Sequence, residues 1–111
     1  MPYDEELAAR IRDLMARERG VSEKKMFGGL AFLVDGNMSV AASGQGGLLV
    51  RVDPDESDAL LGKPGVQLME MGGRSMAGWL RVEADAVHTK KQLAPWVKRG
   101  VAFARSLPPK S

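Results

Sequence analysis

The sequence has 111 residues, of which 44% are hydrophobic and 27% charged, and its formal net charge is +2, a balance typical of one globular domain over residues 1–111. Because cysteine is absent, disulfides and thiolate metal sites are excluded, and a reducing, cytoplasmic location is expected. The N-terminus is too polar for a signal peptide and the apolar runs are too short to span a bilayer, so we expect no membrane association.

The first predicted element is an amphipathic helix over residues 4–18. Asp4 is a suitable N-cap, and the apolar side chains that then recur at helical spacing are Leu7, Ile11, Leu14 and Met15. Glycine commonly follows the last turn of a helix, so we expect Gly20 to end this one.

The middle of the chain changes to a strand-like pattern. The apolar run 30–34 and residues 38–42 flank Asp35-Gly36-Asn37, which is a strong hairpin turn signal. A glycine-rich segment, 43–47, precedes another predicted strand at 48–52. Connections this short favour antiparallel pairing, so these segments predict a meander.

The second half predicts a short helix, two strands and a long helix. Pro54 lies in a helix start, and this helix is expected to stop near Gly62. Strands are predicted at 66–71 and 76–82. From about residue 90 the helical period returns, with Pro95 expected in or near the first turn because a deeper proline would remove a hydrogen bond. The side chains expected on the inner face of this helix are Leu93, Trp96, Val97, Val101 and Ala104.

These elements predict an α+β fold, in which an antiparallel sheet of about four to six strands packs against the N- and C-terminal helices. Only the two terminal helices are long and apolar enough to cover one face of such a sheet. Charge is unevenly placed in this arrangement, since residues 53–85 carry seven acids and three bases, whereas residues 86–111 carry six bases and no acid.

Several blocks of the sequence resemble one known family. The most specific block is KKMFGGLAF at residues 24–32, followed by the turn DGNM at 35–38. Further similar blocks lie at residues 3–7, 49–52, 76–79, 96–97 and 102–108. Taken in order from about Tyr3 to Pro108, these blocks resemble the N-terminal domain of TfoX/Sxy-type competence regulators.

The resemblance implies a compact α+β domain with an antiparallel sheet and a part in transcription regulation. Longer family members promote transcription of competence genes together with the cyclic-AMP receptor protein. They also carry a C-terminal helical domain of helix-hairpin-helix character, the usual candidate for direct DNA contact. The present sequence ends at Ser111, so no such domain is expected, and the competence role does not transfer directly. The family offers no established catalytic residues.

No group of residues predicts an enzyme. His88 is the only histidine, and Asp85 with His88 is better explained by helix capping than by a general base with its orienting carboxylate. A cluster of acids lacks the spacing of a calcium loop and is interpreted as helix-capping: Asp53, Asp55, Glu56 and Asp58. We therefore expect no catalytic residue, no metal and no cofactor, and a small enzyme is the least favoured function.

Two glycine-rich segments have structural interpretations. Gly28-Gly29 within a strand pattern predicts a bulge or a close backbone approach, with Met26 and Phe27 either in the core or in an exposed contact patch. The segment 43–47 joins two predicted strands, which favours a hairpin loop over a phosphate cradle at a helix N-terminus.

The favoured function is a non-enzymatic regulatory domain that contacts a protein partner, such as part of the transcription machinery. The alternative is direct nucleic-acid binding by the basic last helix, although a solvated polar face is the commoner explanation of such a helix. A homodimer formed through sheet edges is also expected. The residues predicted for partner or nucleic-acid contact are Lys24, Lys25, Met26, Phe27, Arg51, Arg74, Lys90, Lys91, Lys98, Arg99 and Arg105.

Overall fold

The computed structural model describes residues 3–26, 28–44, 46–71 and 73–108. The elements in chain order are α1 (Glu5–Leu14), β1 (Val21–Met26), β2 (Gly29–Val34), β3 (Asn37–Ala42), β4 (Leu48–Arg51), α2 (Pro54–Leu60), β5 (Val66–Met71), β6 (Arg74–Val82), a 3-10 turn (Ala84–Val87) and α3 (Lys90–Ser106). The strands form a six-stranded antiparallel sheet in the order β1-β2-β3-β4-β6-β5. The predicted fold class and number of strands are therefore confirmed.

The order of the strands refines the predicted meander. The first four strands do follow one another in the sheet, but β5 and β6 form a hairpin that joins it through its second strand. β6 therefore pairs with β4, and β5 becomes an outer edge. The sheet has two edges, β1 and β5, and α2 lies in the connection between β4 and the outer edge.

One face of the sheet packs against all three helices. The register aligns Phe32, Val40, Val50 and Leu80 across four neighbouring strands, and each is fully buried. They belong to one core cluster with apolar side chains of α1, α2 and α3. Burying a side chain of this size stabilises the fold by about 1.5–3 kcal/mol, so this layer holds the helices on the sheet.

A second, separate apolar cluster is formed by strand residues that alternate with the helix-facing ones. It comprises Ala31, Met38, Ala41, Leu49 and Met69, with Leu33 and Trp79 packed against it and partly buried. Ala31, Ala41 and Leu49 are register neighbours, one residue away from the positions that face the helices. Since side chains alternate along a strand, this cluster lies on the opposite face of the sheet.

Helix α1 begins as predicted but ends earlier. The Asp4 carboxylate accepts hydrogen bonds from the backbone N–H groups of Glu6 and Leu7 at 2.9 and 3.1 Å. The helix ends at Leu14, so the predicted extent of 4–18 is wrong at its C-terminal end. The residues between Met15 and Gly20 offer no further large apolar side chain, and without burial a helical turn is only marginally stable.

Helix α3 is the longest helix, and its inner face is as predicted. Thr89 and Gln92 form a capping box at its N-terminus. Pro95 lies in the second turn, so the prediction that it belongs near the first turn is wrong. Its missing N–H leaves the Lys91 carbonyl without a helical partner, and water can reach this position because both residues are exposed.

In the described ranges, none of the helices has both the length and the apolar character needed to cross a bilayer.

Candidate interaction site

The position of α3 is fixed by a close approach to β3 at Gly100. A Cβ built on Gly100 would lie 2.8 Å from Val40 Cγ1, so only glycine allows this packing. The inner face of α3 is buried around this point: Leu93, Trp96, Val97, Val101 and Ala104. The opposite side of the helix consequently faces solvent and presents the polar and basic residues of the sequence.

Arg51, at the end of β4, lies near two aromatic rings. Its guanidinium carbon is 5.1 Å from the centre of the Trp79 ring and 5.4 Å from that of Phe103 on α3. Trp79 is the register partner of Arg51 on β6, so one contact lies within the sheet and the other reaches the helix. Arginine binds aromatic rings through cation–π attraction, and this arrangement holds the guanidinium in a half-buried position.

An open cleft of about 500 Å³, which we call the α2–α3 cleft, lies beside the outer face of α3. Its lining residues are Asp53, Glu56, Pro95, Lys98, Arg99, Ala102, Phe103 and Ser106. Phe103 also contacts Arg51, so this arginine lies next to the cleft. The Arg99 guanidinium stacks over Trp96 at 5.1 Å from the ring centre. The cleft thus combines basic, acidic and apolar groups on one surface.

Two of the predicted basic residues of α3 are paired with acids. Lys90 forms an ion pair of 3.1 Å with Asp13 of α1. Arg105 forms a pair of 2.8 Å with Glu18 and a longer one of 3.8 Å with Asp35. Within the described part of the chain, Lys91, Lys98 and Arg99 have no acid in salt-bridge distance. Two of the five basic residues of α3 are therefore already balanced, one near each end of the helix.

The remaining predicted contact residues are dispersed. Lys24 and Lys25 are exposed on the edge strand β1, and Arg74 is exposed at the start of β6. Three strands separate β1 from β6, so Lys24, Lys25 and Arg74 do not form one basic edge. Met26 ends β1, but its side chain and all of Phe27 lie outside the described residues.

The KKMFGG block has a packing role at its second glycine. A Cβ at Gly29 would collide with the carbonyl oxygen of Ala42 and lie 3.0 Å from the amide nitrogen of Gly44. This is the close backbone approach that the paired glycines predicted. The segment 43–47 joins β3 to β4, as expected for a hairpin loop, and Gln45 lies outside the described residues.

The contact between Arg12 of α1 and Glu23 of β1 perturbs the titration of both residues. Arg12 Nε and Nη2 donate hydrogen bonds of 2.7 and 2.8 Å to the two carboxylate oxygens of Glu23. This hydrogen bonding lowers the pKa of Glu23 and raises that of Arg12. Because Glu23 aligns with Phe32, it lies on the helix-covered face of β1. The pair is structural and joins α1 to the edge of the sheet.

The residues considered for chemistry do not form a reactive group in the described structure. Asp85 and His88 are both exposed and, in the described part of the chain, not hydrogen-bonded to each other. The Asp53 carboxylate accepts the N–H of Asp55 at 2.9 Å, which is the capping role that the sequence predicted. No group of three potential metal ligands is found among the described residues.

The sequence does not indicate two contacts in this region, those of Phe103 and Trp79 with Arg51. Asn37 belongs to the turn signal of the sequence, and its Nδ2 also donates a hydrogen bond of 3.0 Å to the Pro108 carbonyl. These contacts join residues far apart in the chain, and no local pattern in the sequence indicates them.

The fold and the site define a small α+β domain in which helices cover one face of an antiparallel sheet and a basic, aromatic cleft opens beside the last helix. The sequence model of the TfoX N-terminal domain matches residues 13–104. The chain therefore belongs to the TfoX N-terminal domain family, as the KKMFGGLAF block indicated. Comparison with curated proteins and with solved structures found no match.

Proposed function

We propose that this domain is a non-enzymatic regulatory module that acts by binding a protein partner. Its role would be in transcription regulation, as for the competence regulators of its family. Its membership of the TfoX N-terminal domain family supports a regulatory role. The single observation that carries the proposal is a group of three cations in or beside one cleft without a carboxylate partner among the described residues: Arg51, Lys98 and Arg99. Arg51 and Arg99 also lie over aromatic rings.

The composition of the surface favours a protein partner over nucleic acid. Arginine and aromatic side chains are enriched at protein interfaces, and Phe103 and Trp79 are half-buried beside Arg51. Asp53 and Glu56 line the same cleft as Lys98 and Arg99, so its charge is mixed rather than uniformly basic. A protein segment can match such a mixture of charges and apolar groups, whereas a polyanion matches only the cations.

The test is affinity capture from a nuclease-treated lysate of the source cells, followed by reconstitution. Proteins enriched over an unrelated domain of similar size and charge are purified and titrated against this domain by calorimetry. The proposal expects at least one purified candidate to bind directly with a stoichiometry that saturates. If no purified candidate binds, or if binding depends on the nucleic acid that the nuclease removed, the proposal is wrong.

Direct nucleic-acid binding is the second candidate, because Lys91, Lys98 and Arg99 are unpaired within the described structure. The measurement is gel retardation of random duplex DNA at about 50 and about 200 mM salt, a range over which phosphate-driven affinity falls steeply. Retardation that is strong at the lower salt and lost at the higher salt would favour this function. No retardation at the lower salt would exclude it as the main activity. Homodimerisation through β1 or β5 stays a prediction.

A further inference from the structure

The positive and negative groups of the α2–α3 cleft differ in how they are neutralised. Asp53 caps α2, and Glu56 lies in the first turn of that helix, where the backbone N–H groups favour negative charge. Lys98 and Arg99 lie in the middle of α3, away from the C-terminal carbonyls that would favour positive charge. The acids of the cleft are thus stabilised by the N-terminus of α2, whereas its bases have no carboxylate partner among the described residues.

Arg51 adds a third uncompensated cation beside the cleft. It is half-buried between Trp79 and Phe103, and within the described structure it makes neither an ion pair nor a side-chain hydrogen bond. Its guanidinium nitrogens are not buried, so they can donate to a bound group, and carboxylates match these planar donors well. An anionic group from outside the domain would supply the acceptor that Arg51 lacks within the described structure.

The apolar part of the cleft limits which anion fits. Pro95 and Ala102 are exposed on α3, and Phe103, which also lines the cleft, contacts Arg51. A free inorganic anion would gain nothing from these groups. A peptide that presents a carboxylate next to an apolar side chain would satisfy the cations and also bury the exposed carbon surface.

We infer that the α2–α3 cleft binds an acidic, partly apolar segment of a protein partner, with Arg51, Lys98 and Arg99 as the carboxylate-recognising residues. This inference rests on the proposed function and specifies the chemistry of the partner. Glu56 opposes the binding of such a segment, because its carboxylate lines the same cleft. The inference therefore predicts opposite effects for two neutralising substitutions in one cleft.

The experiment titrates a short fluorescent peptide that alternates glutamate with leucine and serine, using its glutamine counterpart as a control. We expect the glutamate peptide to bind more tightly, Lys98→Gln to weaken it and Glu56→Gln to strengthen it, each by about two- to fivefold, the range for exposed charge pairs. Matched controls are Lys91→Gln and Glu70→Gln, which make the same charge changes at exposed positions outside the cleft and should leave the Kd unchanged. Arg51→Lys, which keeps the charge but loses the planar donors, should also weaken binding.

Three outcomes of this titration would overturn the inference: equal binding of the glutamine peptide, equal effects of the changes inside and outside the cleft, or displacement of the peptide by duplex DNA with the same dependence on Lys98. Thermal unfolding of each variant separates loss of binding from loss of folding. The partner obtained by affinity capture then separates this inference from the proposed function. If that partner binds wild type, Lys98→Gln and Glu56→Gln equally, the inference fails while the proposed function stands.

Discussion

Replacing Gly100 with alanine should destabilise the protein, although alanine is the better helix former. At an open helix position the exchange of glycine for alanine is worth about 1 kcal/mol in favour of alanine. At Gly100 the added Cβ would lie 2.8 Å from Val40 Cγ1 and 3.0 Å from the carbonyl carbon of Ser39, whereas ordinary contact begins near 3.4 Å. Ser39 and Val40 are fully buried in β3, so these atoms have little room to move.

The expected size follows from the two opposing terms. Inserting a methyl group into a filled core costs about 1–3 kcal/mol, and rigid strand backbone favours the upper end of that range. Subtracting the gain in helix propensity leaves a net loss of roughly 2 kcal/mol in the free energy of unfolding. The helix would have to move away from the sheet, which would also loosen the contacts of Val97 and Val101 with the core.

The assay is urea unfolding followed by tryptophan fluorescence, comparing midpoints at an unchanged slope. Ala102→Gly is the matched control, because Ala102 is exposed on the same helix and should lose only the propensity term of about 1 kcal/mol. Both exchanges should therefore be destabilising, even though they run in opposite chemical directions. If Gly100→Ala is as stable as wild type while Ala102→Gly is not, the close packing of α3 on β3 is refuted.

Three further predictions concern the N-terminal capping of α3 and two contacts that join elements. Thr89→Ala should lower the free energy of unfolding by about 1 kcal/mol in urea titration, because it removes the capping box of α3, whereas Thr89→Ser should retain most of it. Asn37→Ala should cost about 0.5–1.5 kcal/mol in the same assay, since Asn37 is buried and the change removes the hydrogen bond from its Nδ2 to the Pro108 carbonyl; a loss no larger than that of an exposed alanine substitution would contradict this. Hydrogen bonding to Arg12 lowers the pKa of Glu23, so the stabilisation from this pair is complete above the ordinary carboxyl pKa and is lost as the pH falls through the lowered pKa. Glu23→Gln should therefore be less stable than wild type at neutral pH and equal to it in acid. A difference in stability that does not depend on pH would refute the assignment.

The elements that could be predicted from the sequence are those with a strong local signal. The inner face of α3 repeats apolar residues at helical spacing, and all five of its predicted members are buried. The Asp35-Gly36 turn joins β2 and β3, where positive φ angles at both residues suit a tight hairpin. In these segments local preference and tertiary packing agree, so the pattern alone was sufficient.

Strand β1 could not be predicted because its inner face breaks the usual alternation. Its sequence places Glu23 and Lys25 on the side that faces the helices, where apolar residues would be expected. Glu23 is accommodated there because Arg12 of α1 neutralises it through two hydrogen bonds. That compensation depends on a residue from another element, and a search for period-two hydrophobicity cannot detect it.

Only part of the candidate site could be predicted from the sequence, for a related reason. The sequence groups six bases after residue 86, which suggests a continuous basic helix. The fold divides them, because α1 and its following turn supply Asp13 and Glu18 as partners for Lys90 and Arg105 at the two ends of α3. What stays unpaired in the described structure is the middle of the helix, to which the sheet adds Arg51 from another part of the chain. A continuous basic stripe would suit a phosphate backbone, whereas a compact group of cations around aromatic rings suits the carboxylates of a protein segment.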